Sequence, residues 1–267
     1  MGDTFDLEAY FARVNWRGPS TANYTTLAGI LEAHMTQIPF ENFDVLLGRG
    51  VRLDLDGLQK KLVKARRGGY CFEHSSLLAA ALERLGFETV RHAARVIVFA
   101  PASESPRTHM FLTVAVEGAR YALDPGFGPF GSRLPVPLGG GAPADRPTHR
   151  FVSDGKLWTM YVTRDGVETP GWISTLETEN PVDFEMGNFF TAMHPESLFR
   201  NRIIASAVTS DARVNIMNRD VTVLAGAEAR RSQLPDRAAL RALLAERFGI
   251  DLPEVETLQV PSVPEWA

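Results

Sequence analysis

The chain has 267 residues, of which 45% are hydrophobic and 22% charged, a balance typical of a globular protein with a sizeable core. The net charge of −4 argues against a nucleic-acid partner, because nucleic-acid-binding proteins usually carry an excess of basic residues. The single cysteine excludes an intramolecular disulfide and favours a reducing, cytoplasmic location. No apolar run has membrane-spanning length and no signal-peptide pattern opens the chain, so we expect no membrane partner.

Residues 1–86 are predicted to form a bundle of helices. Apolar residues recur there at intervals of three and four, the spacing that places them on one helix face. The four predicted helices carry Leu7, Tyr10, Phe11 and Val14; Leu27, Ile30 and Leu31; Leu58, Leu62 and Val63; and Leu78, Ala81, Leu82 and Leu85. The last of these helices begins near Cys71 and stops at Gly86. Residues 38–44 are predicted to be a loop, since Pro39 disfavours helix in the residue before it.

The pattern changes to short strands after residue 86. Segments rich in β-branched and aromatic residues occur at 89–99, 107–116, 120–123, 150–152, 157–163 and 172–175. Residues 125–147 are dense in Gly and Pro and are predicted to form a long loop. The final part mixes strands at 203–208, 213–217 and 221–224 with a helix near 235–248. We therefore predict an α+β protein with boundaries at 1–86, 87–195 and 196–267.

Cys71 is a candidate nucleophile. A lone cysteine is more often a small buried apolar residue, and reactivity requires a particular setting. Here a helix is predicted to begin at the cysteine, so its positive dipole end would favour thiolate, and Arg66 and Arg67 would add to that effect. The intervening glycines, Gly68 and Gly69, would let backbone approach the sulfur closely.

A thiolate nucleophile needs a proton carrier, and His109 at the start of a predicted strand is the candidate among six histidines. If Glu117 and Gly118 form a two-residue hairpin loop, His109 and Asp124 become diagonal neighbours on one face of the sheet. If Gly118 and Ala119 form the loop, Asp124 misses His109. With the first register, Cys71, His109 and Asp124 can form a triad in which the carboxylate orients the imidazole.

His74 lies three residues after Cys71 on the same helix face and could touch the thiol. It has no carboxylate partner in an obvious position, because Glu73 points elsewhere, so we assign it a structural role. A metal site built on Cys71 and His74 is not expected, since no second Cys or His pair has ligand spacing. We therefore predict no metal.

The segments at 67–73, 38–42, 108–109 and 124–128 together resemble motifs of the arylamine N-acetyltransferase family, of the bacterial type. The segment from Arg67 to Glu73, R-G-G-Y-C-F-E, resembles the family's R-G-G-x-C-x-E/N signature. Residues 38–42, I-P-F-E-N, are similar to a family loop, and Thr108-His109 and 124–128 resemble its His and Asp motifs in the right order. A weaker likeness continues in 188–199. Position 125 is Pro, where the family commonly has Val or Ala.

The resemblance implies a helical bundle, a central antiparallel β-barrel and a C-terminal α/β lid around a papain-like Cys-His-Asp core. It implies acetyl-CoA as donor and an aromatic amine, hydrazine or hydroxylamine as acceptor. Cys71 would then be the acetylated nucleophile, His109 the general acid and base, and Asp124 the residue that orients it. The resemblance also implies that the acceptor pocket is lined by Phe40, Val96 and Phe127, and that Gly126 adjoins the entry of the cofactor.

Other functions share these features. An amide synthase of the same fold would use the same triad to close a macrolactam from a carrier-protein thioester. A papain-like or transglutaminase-like cysteine hydrolase also has Cys, His and Asp or Asn in this order, although the flanking motifs match it less well. A binding module with an idle triad is a third alternative, and no sequence feature favours it.

Overall fold

The computed structural model describes residues 5–140, 148–164, 166–226 and 228–266. The predicted loop at 125–147 therefore extends past the described residues at 141–147. Among the described residues, no helix combines the length and the apolar character needed to cross a membrane.

Helices dominate the first third of the chain and recur near its end. The described α-helices are α1 (Leu7–Val14), α2 (Tyr24–Gln37), α3 (Phe43–Leu46), α4 (Leu55–Leu58), α5 (Cys71–Arg84), α6 (Pro181–Met193), α7 (Leu198–Asn201) and α8 (Arg237–Leu243). Two of them continue as π-helix, at Gln59–Lys64 and Leu244–Phe248. Short 3₁₀ turns occupy Gly128–Phe130, Pro253–Thr257 and Pro264–Trp266.

The strands form two antiparallel sheets. The described strands are β1 (Phe40–Glu41), β2 (Glu88–Val96), β3 (His109–Val116), β4 (Ala119–Leu123), β5 (Val136–Pro137), β6 (Thr148–Ser153), β7 (Trp158–Arg164), β8 (Val167–Ser174), β9 (Ile204–Val208), β10 (Arg213–Met217), β11 (Asp220–Ala225) and β12 (Glu228–Gln233). The first sheet has the order β5-β4-β3-β2-β8-β7-β6, and its two edge strands touch. It is therefore a nearly closed barrel with its own apolar core.

The second sheet has the order β1-β9-β10-β11-β12 and packs with α8 and the C-terminal turns around a separate core. The predicted α+β class, with a helical bundle, a central antiparallel barrel and a C-terminal α/β region, is confirmed. Two elements differ from the sequence-based expectation. Residues 38–44 are not all loop, because Phe40 and Glu41 pair with Ser206 and Ala205 of β9 and a short helix follows. Helix α6 lies inside the segment 87–195, for which we predicted strands.

The division at 86/87 and 195/196 stays a prediction. Strand β1 precedes residue 86 yet belongs to the C-terminal sheet, so contacts cross that division. This crossing matters for the site, because Phe40 pairs with Ser206 of the second sheet and also bridges to Gly69, two residues before Cys71.

The hairpin between β3 and β4 has the first of the two registers considered. Val116 pairs with Ala119 and Leu112 pairs with Leu123, so Glu117 and Gly118 form the loop. Both loop residues have positive φ, 52° and 76°. That geometry suits the right-handed twist of a two-residue hairpin. The pairing runs from this loop to Leu112 and Leu123, and just beyond it the side chains of His109 and Asp124 come into contact.

We expect Gly118→Ala to destabilise the protein by about 1–2 kcal/mol, because a side chain disfavours the left-handed backbone. An added Cβ would meet no atom within 4 Å, so the cost is conformational rather than steric. Urea unfolding should show a lower midpoint with an unchanged slope. Gly139→Ala is the control, since that glycine has equally open surroundings without the positive φ. Equal losses in both variants would contradict the assignment of the turn.

Candidate active site

Cys71 is the first residue of α5 and is buried, with 3% of its surface exposed. Its Sγ lies 3.7 Å from the carbonyl oxygen of Thr108, the residue that precedes β3. The first N–H groups of a helix have no partner inside the helix and carry a partial positive charge. The sulfur therefore lies where the helix favours a negative charge, as we predicted from the sequence.

His109 and Asp124 are in direct contact. The Nε2 of His109 donates to Oδ2 of Asp124 over 2.9 Å, and both side chains are buried. With Nε2 occupied, Nδ1 is the ring nitrogen left for the Cys71 thiol, whose hydrogen bond and charge act on the imidazole. The structure therefore brings Cys71, His109 and Asp124 together.

The surroundings of His109 favour its charged form. Burial lowers the pKa of His109, but the charge of Asp124, its hydrogen bond and the Cys71 thiol outweigh burial and raise the pKa to about 10. These contacts therefore favour the imidazolium at neutral pH. A cationic ring beside a thiol favours ionisation of that thiol.

Trp172 also contacts the carboxylate, and the sequence interpretation missed it. The indole Nε1 donates to the same Oδ2 of Asp124 over 2.8 Å. Trp172 lies on β8, 48 residues from Asp124, and is fully buried. A buried indole usually finds an acceptor for its N–H, but only the barrel topology reveals which one.

Gly126 lies against the start of α5. A Cβ at this position would come within 2.3 Å of the Cα of Cys71 and 3.0 Å of its Cβ. The loop that follows Asp124 therefore packs backbone to backbone on the helix that begins at the thiol. This contact explains a glycine at 126 without reference to a ligand. That Gly126 adjoins the entry of the cofactor, as the resemblance implies, stays a prediction.

The three residues predicted to line an acceptor pocket lie at different distances from the triad. The Phe127 ring is centred 5.1 Å from the His109 ring. Phe40 stacks on His74 at 6.4 Å, and its strand bridges to Gly69 shortly before Cys71. Val96 is half-buried at the end of β2 and pairs with Trp172 across the barrel. All three thus adjoin residues that touch the triad or the segment before Cys71.

Arg67, one of the two arginines expected to act on Cys71, has its charge compensated elsewhere. Arg67 is buried and donates to Glu41 and Asp44, at 2.6 and 3.1 Å. Lys61 pairs with Asp44 and with Glu73, at 3.0 and 2.7 Å. Two cations thus meet three carboxylates in this cluster. The predicted contribution of Arg67 to the positive potential at the thiol is therefore wrong, because its charge is compensated locally.

Glu73 has a second function in this cluster. Its Oε2 accepts the N–H of Tyr70 over 3.0 Å, which caps the start of α5. Burial raises the pKa of Glu73, and the neighbouring Lys61 opposes that rise. The carboxylate therefore fixes the helix end that carries Cys71.

His74 belongs to a buried chain of hydrogen bonds and does not face the thiol. Its Nε2 donates to the carbonyl of Pro39 over 3.2 Å, so its Nδ1 accepts from Nε2 of His34 over 2.9 Å. The Nδ1 of His34 then accepts from the hydroxyl of Tyr10 over 2.9 Å. Burial lowers the pKa of His74 to about 4, so the ring is neutral. Both nitrogens are used, which fits the structural role assigned to His74.

Among the described ranges, no group of three or more His, Cys, Asp or Glu side chains has an arrangement that could hold a metal ion. Cys71, His109 and Asp124 bring a thiol, an imidazole and a carboxylate together. Their arrangement supports nucleophilic attack with proton transfer.

Residues 23–257 match the N-acetyltransferase family, and the chain belongs to that family. It is 37% identical to an arylamine N-acetyltransferase of Mycolicibacterium smegmatis over 92% of each chain. It is 33% identical to an arylamine N-acetyltransferase of Escherichia coli, over 94% of this chain and 90% of that one. The solved arylamine N-acetyltransferase of Mycobacterium marinum in complex with CoA has a TM-score of 0.88 at 32% identity, covering 94% of each chain.

We expect Gly126→Ala to damage both the site and the fold. The new Cβ would clash with backbone, which cannot move aside as a flexible side chain can. Overpacking of this kind costs about 1–3 kcal/mol, and the start of α5 should be displaced. Alkylation of Cys71 by iodoacetamide should slow in the protein that remains folded. Gly139→Ala is again the control, and a wild-type alkylation rate in Gly126→Ala would contradict the close packing described here.

Proposed function

We propose that this protein is an arylamine N-acetyltransferase that moves an acetyl group from acetyl-CoA to an aromatic amine, hydrazine or hydroxylamine. The observation that carries the proposal is the buried thiol of Cys71 at a helix start, beside a His109 imidazole that is bonded to Asp124. The relatives named arylamine N-acetyltransferase and the CoA complex of the Mycobacterium marinum protein support the same donor and acceptor.

In the first half-reaction, the Cys71 thiolate attacks the carbonyl carbon of acetyl-CoA. The bond from that carbon to the CoA sulfur then breaks. His109, protonated at neutral pH, gives its Nδ1 proton to the departing sulfur, so free CoA leaves as a thiol. The enzyme now carries an acetyl thioester on Cys71 and a neutral His109.

In the second half-reaction, the lone pair of the amine attacks the thioester carbonyl. His109 takes the proton that the amine loses, and the bond from carbon to Cys71 sulfur breaks. The products are the N-acetylated amine and the original pair of thiolate and imidazolium. Asp124 keeps one ring nitrogen occupied throughout, so that the other always faces the reacting atoms.

The apolar surroundings support transfer over hydrolysis. We propose that Phe40, Val96 and Phe127 contact the aromatic ring of the acceptor and that Gly126 borders the path of the cofactor. The Phe127 ring already covers one side of His109. An acetyl thioester has to wait for an amine, and an apolar site keeps water away from it.

We also propose a cytoplasmic location without a nucleic-acid or membrane partner. The single cysteine supports it, since a nucleophilic thiol stays reduced there. The net charge of −4 supports partners that are small molecules rather than nucleic acids.

We expect Cys71→Ser to fold normally and to lose almost all transfer activity, because an alcohol ionises far less readily than a thiol. Wild-type protein mixed with acetyl-CoA in the absence of amine should gain the mass of one acetyl group on Cys71. An aniline or hydrazine should then discharge it rapidly. Retained turnover above a few per cent in Cys71→Ser would remove this residue from the chemistry.

Steady-state kinetics and acyl-labelling experiments distinguish an acetyltransferase from a hydrolase and from an amide synthase. Plots of reciprocal rate against reciprocal amine concentration should be parallel at several donor concentrations, as a covalent intermediate requires. Intersecting lines without a trapped acetyl group would indicate direct transfer in a ternary complex. Loss of the acetyl group to water as fast as to amine would favour a hydrolase. Labelling by a carrier-protein thioester but not by acetyl-CoA would favour an amide synthase.

We expect Asp124→Asn to reduce turnover by roughly 10²–10⁴-fold, the usual contribution of acid–base catalysis. Removing the carboxylate charge lowers the pKa of His109, so less imidazolium exists at neutral pH. Alkylation of Cys71 at neutral pH should slow, and the alkaline limit of its pH profile should move to lower pH. Asp211→Asn, at an exposed carboxylate, is the control. Wild-type alkylation and turnover in Asp124→Asn would contradict the role of this carboxylate.

A further inference from the structure

The Asp124 carboxylate receives hydrogen bonds from two strands on a single oxygen. Oδ2 accepts from Nε2 of His109 on β3 and from Nε1 of Trp172 on β8. The other oxygen, Oδ1, is buried and has no hydrogen-bond partner within the described part of the chain. One donor alone would leave this carboxylate free to turn about its bond to Cβ. Two donors from different directions define its orientation.

Trp172 is well placed to hold that orientation. It is fully buried, and its ring packs at 4.1 Å from Phe111 and 5.3 Å from Phe151, measured between ring centres. Its backbone pairs with Val96 on one side and Met160 on the other. The barrel core therefore fixes the indole, with its N–H directed at Asp124.

We propose that Trp172 is a positioning residue, whose indole N–H keeps the Asp124 carboxylate directed at His109. This inference rests on the proposed function, because it assigns the residue to the same thiol chemistry. Trp172 acts through Asp124 and need not touch a substrate. The centre of its indole ring also lies 6.1 Å from that of the His109 imidazole. Only the hydrogen bond to Asp124, however, constrains the orientation of the carboxylate.

The physical reason is that a carboxylate held by one donor can turn about its bond to Cβ, and its hydrogen bond to His109 then bends or lengthens. A weaker bond to Asp124 stabilises the imidazolium less, so the pKa of His109 falls. The imidazole is also held less firmly beside the Cys71 thiol, so the thiol reacts more slowly.

The test removes the N–H and keeps an aromatic ring. Trp172→Phe should slow Cys71 alkylation at neutral pH about tenfold, the effect of one hydrogen bond to a charged group. The alkaline limit of the pH profile should move about one unit toward lower pH, since one unit of pKa equals a tenfold change. The value of kcat should fall while KM for the amine stays near wild type. Trp158→Phe is the matched control, because this half-buried indole on β7 makes no hydrogen bond to a described residue.

A double-mutant cycle separates positioning from packing. If Trp172 acts through the carboxylate, Trp172→Phe should change alkylation less than about twofold in an Asp124→Leu background, where no acceptor remains. A purely structural role would give the same factor in both backgrounds and overturn the proposal. A wild-type pH profile in folded Trp172→Phe would overturn it as well.

A direct measurement covers the case in which Trp172→Phe does not fold. The indole N–H of Trp172 in the wild-type protein should resonate downfield, exchange slowly with water and shift when Asp124 is replaced by Asn. An unshifted signal would overturn the proposal. Alkylation and the indole signal need neither acetyl-CoA nor amine. If both behave as expected but no acetyl transfer is found, the proposed function fails and the role of Trp172 stands.

Discussion

The hydrogen bond between Asp124 and His109 is the interaction on which the proposed chemistry of this site depends. It joins the two ends of a hairpin, β3 and β4, and holds a charged imidazole inside an apolar barrel. A buried imidazolium is stable only with a charged partner close by, because burial alone lowers its pKa. The register of the two strands thus places a charged imidazole beside a thiol, as the proposed proton transfer requires.

The thiol side is organised by a different set of contacts. Helix α5 begins at Cys71 because Glu73 reaches back to cap the N–H of Tyr70. Beneath this helix end, Lys61 and Arg67 are neutralised by carboxylates, so the charge that acts on Cys71 comes from the helix start and from His109. The helical and barrel parts meet at Gly126, whose missing side chain allows the contact.

Local sequence patterns predicted the features that depend on interactions between residues close together in the chain. The spacing of apolar residues predicted the helices around Leu27 and Leu78. The turn residues reduced the hairpin to two registers, and the structure has the one that joins His109 to Asp124. Helix α6 was not predicted, although Asn180 and Pro181 are typical of a helix start. Its exposed side carries large apolar residues such as Met186 and Phe189, so no apolar stripe distinguishes its buried face.

Contacts between residues far apart in the sequence could not be predicted, because they leave no local pattern. Strand β1 has only two residues and pairs with β9, more than 160 residues later, so no local period marks it. The bond from Trp172 to Asp124 spans 48 residues and depends on barrel closure. Arg67 looked like a free cation in the sequence, since its carboxylate partners Glu41 and Asp44 are brought to it only by folding.

The state of the His109 ring at neutral pH is the most direct measure of whether Asp124 controls this site. Nitrogen NMR of labelled protein reports the protonation of each histidine, and His109→Gln identifies the signal. We expect the ring to be an imidazolium at neutral pH and to titrate near 10. A His109 ring that loses its proton near the ordinary value of about 6.5 would contradict the central role assigned to Asp124.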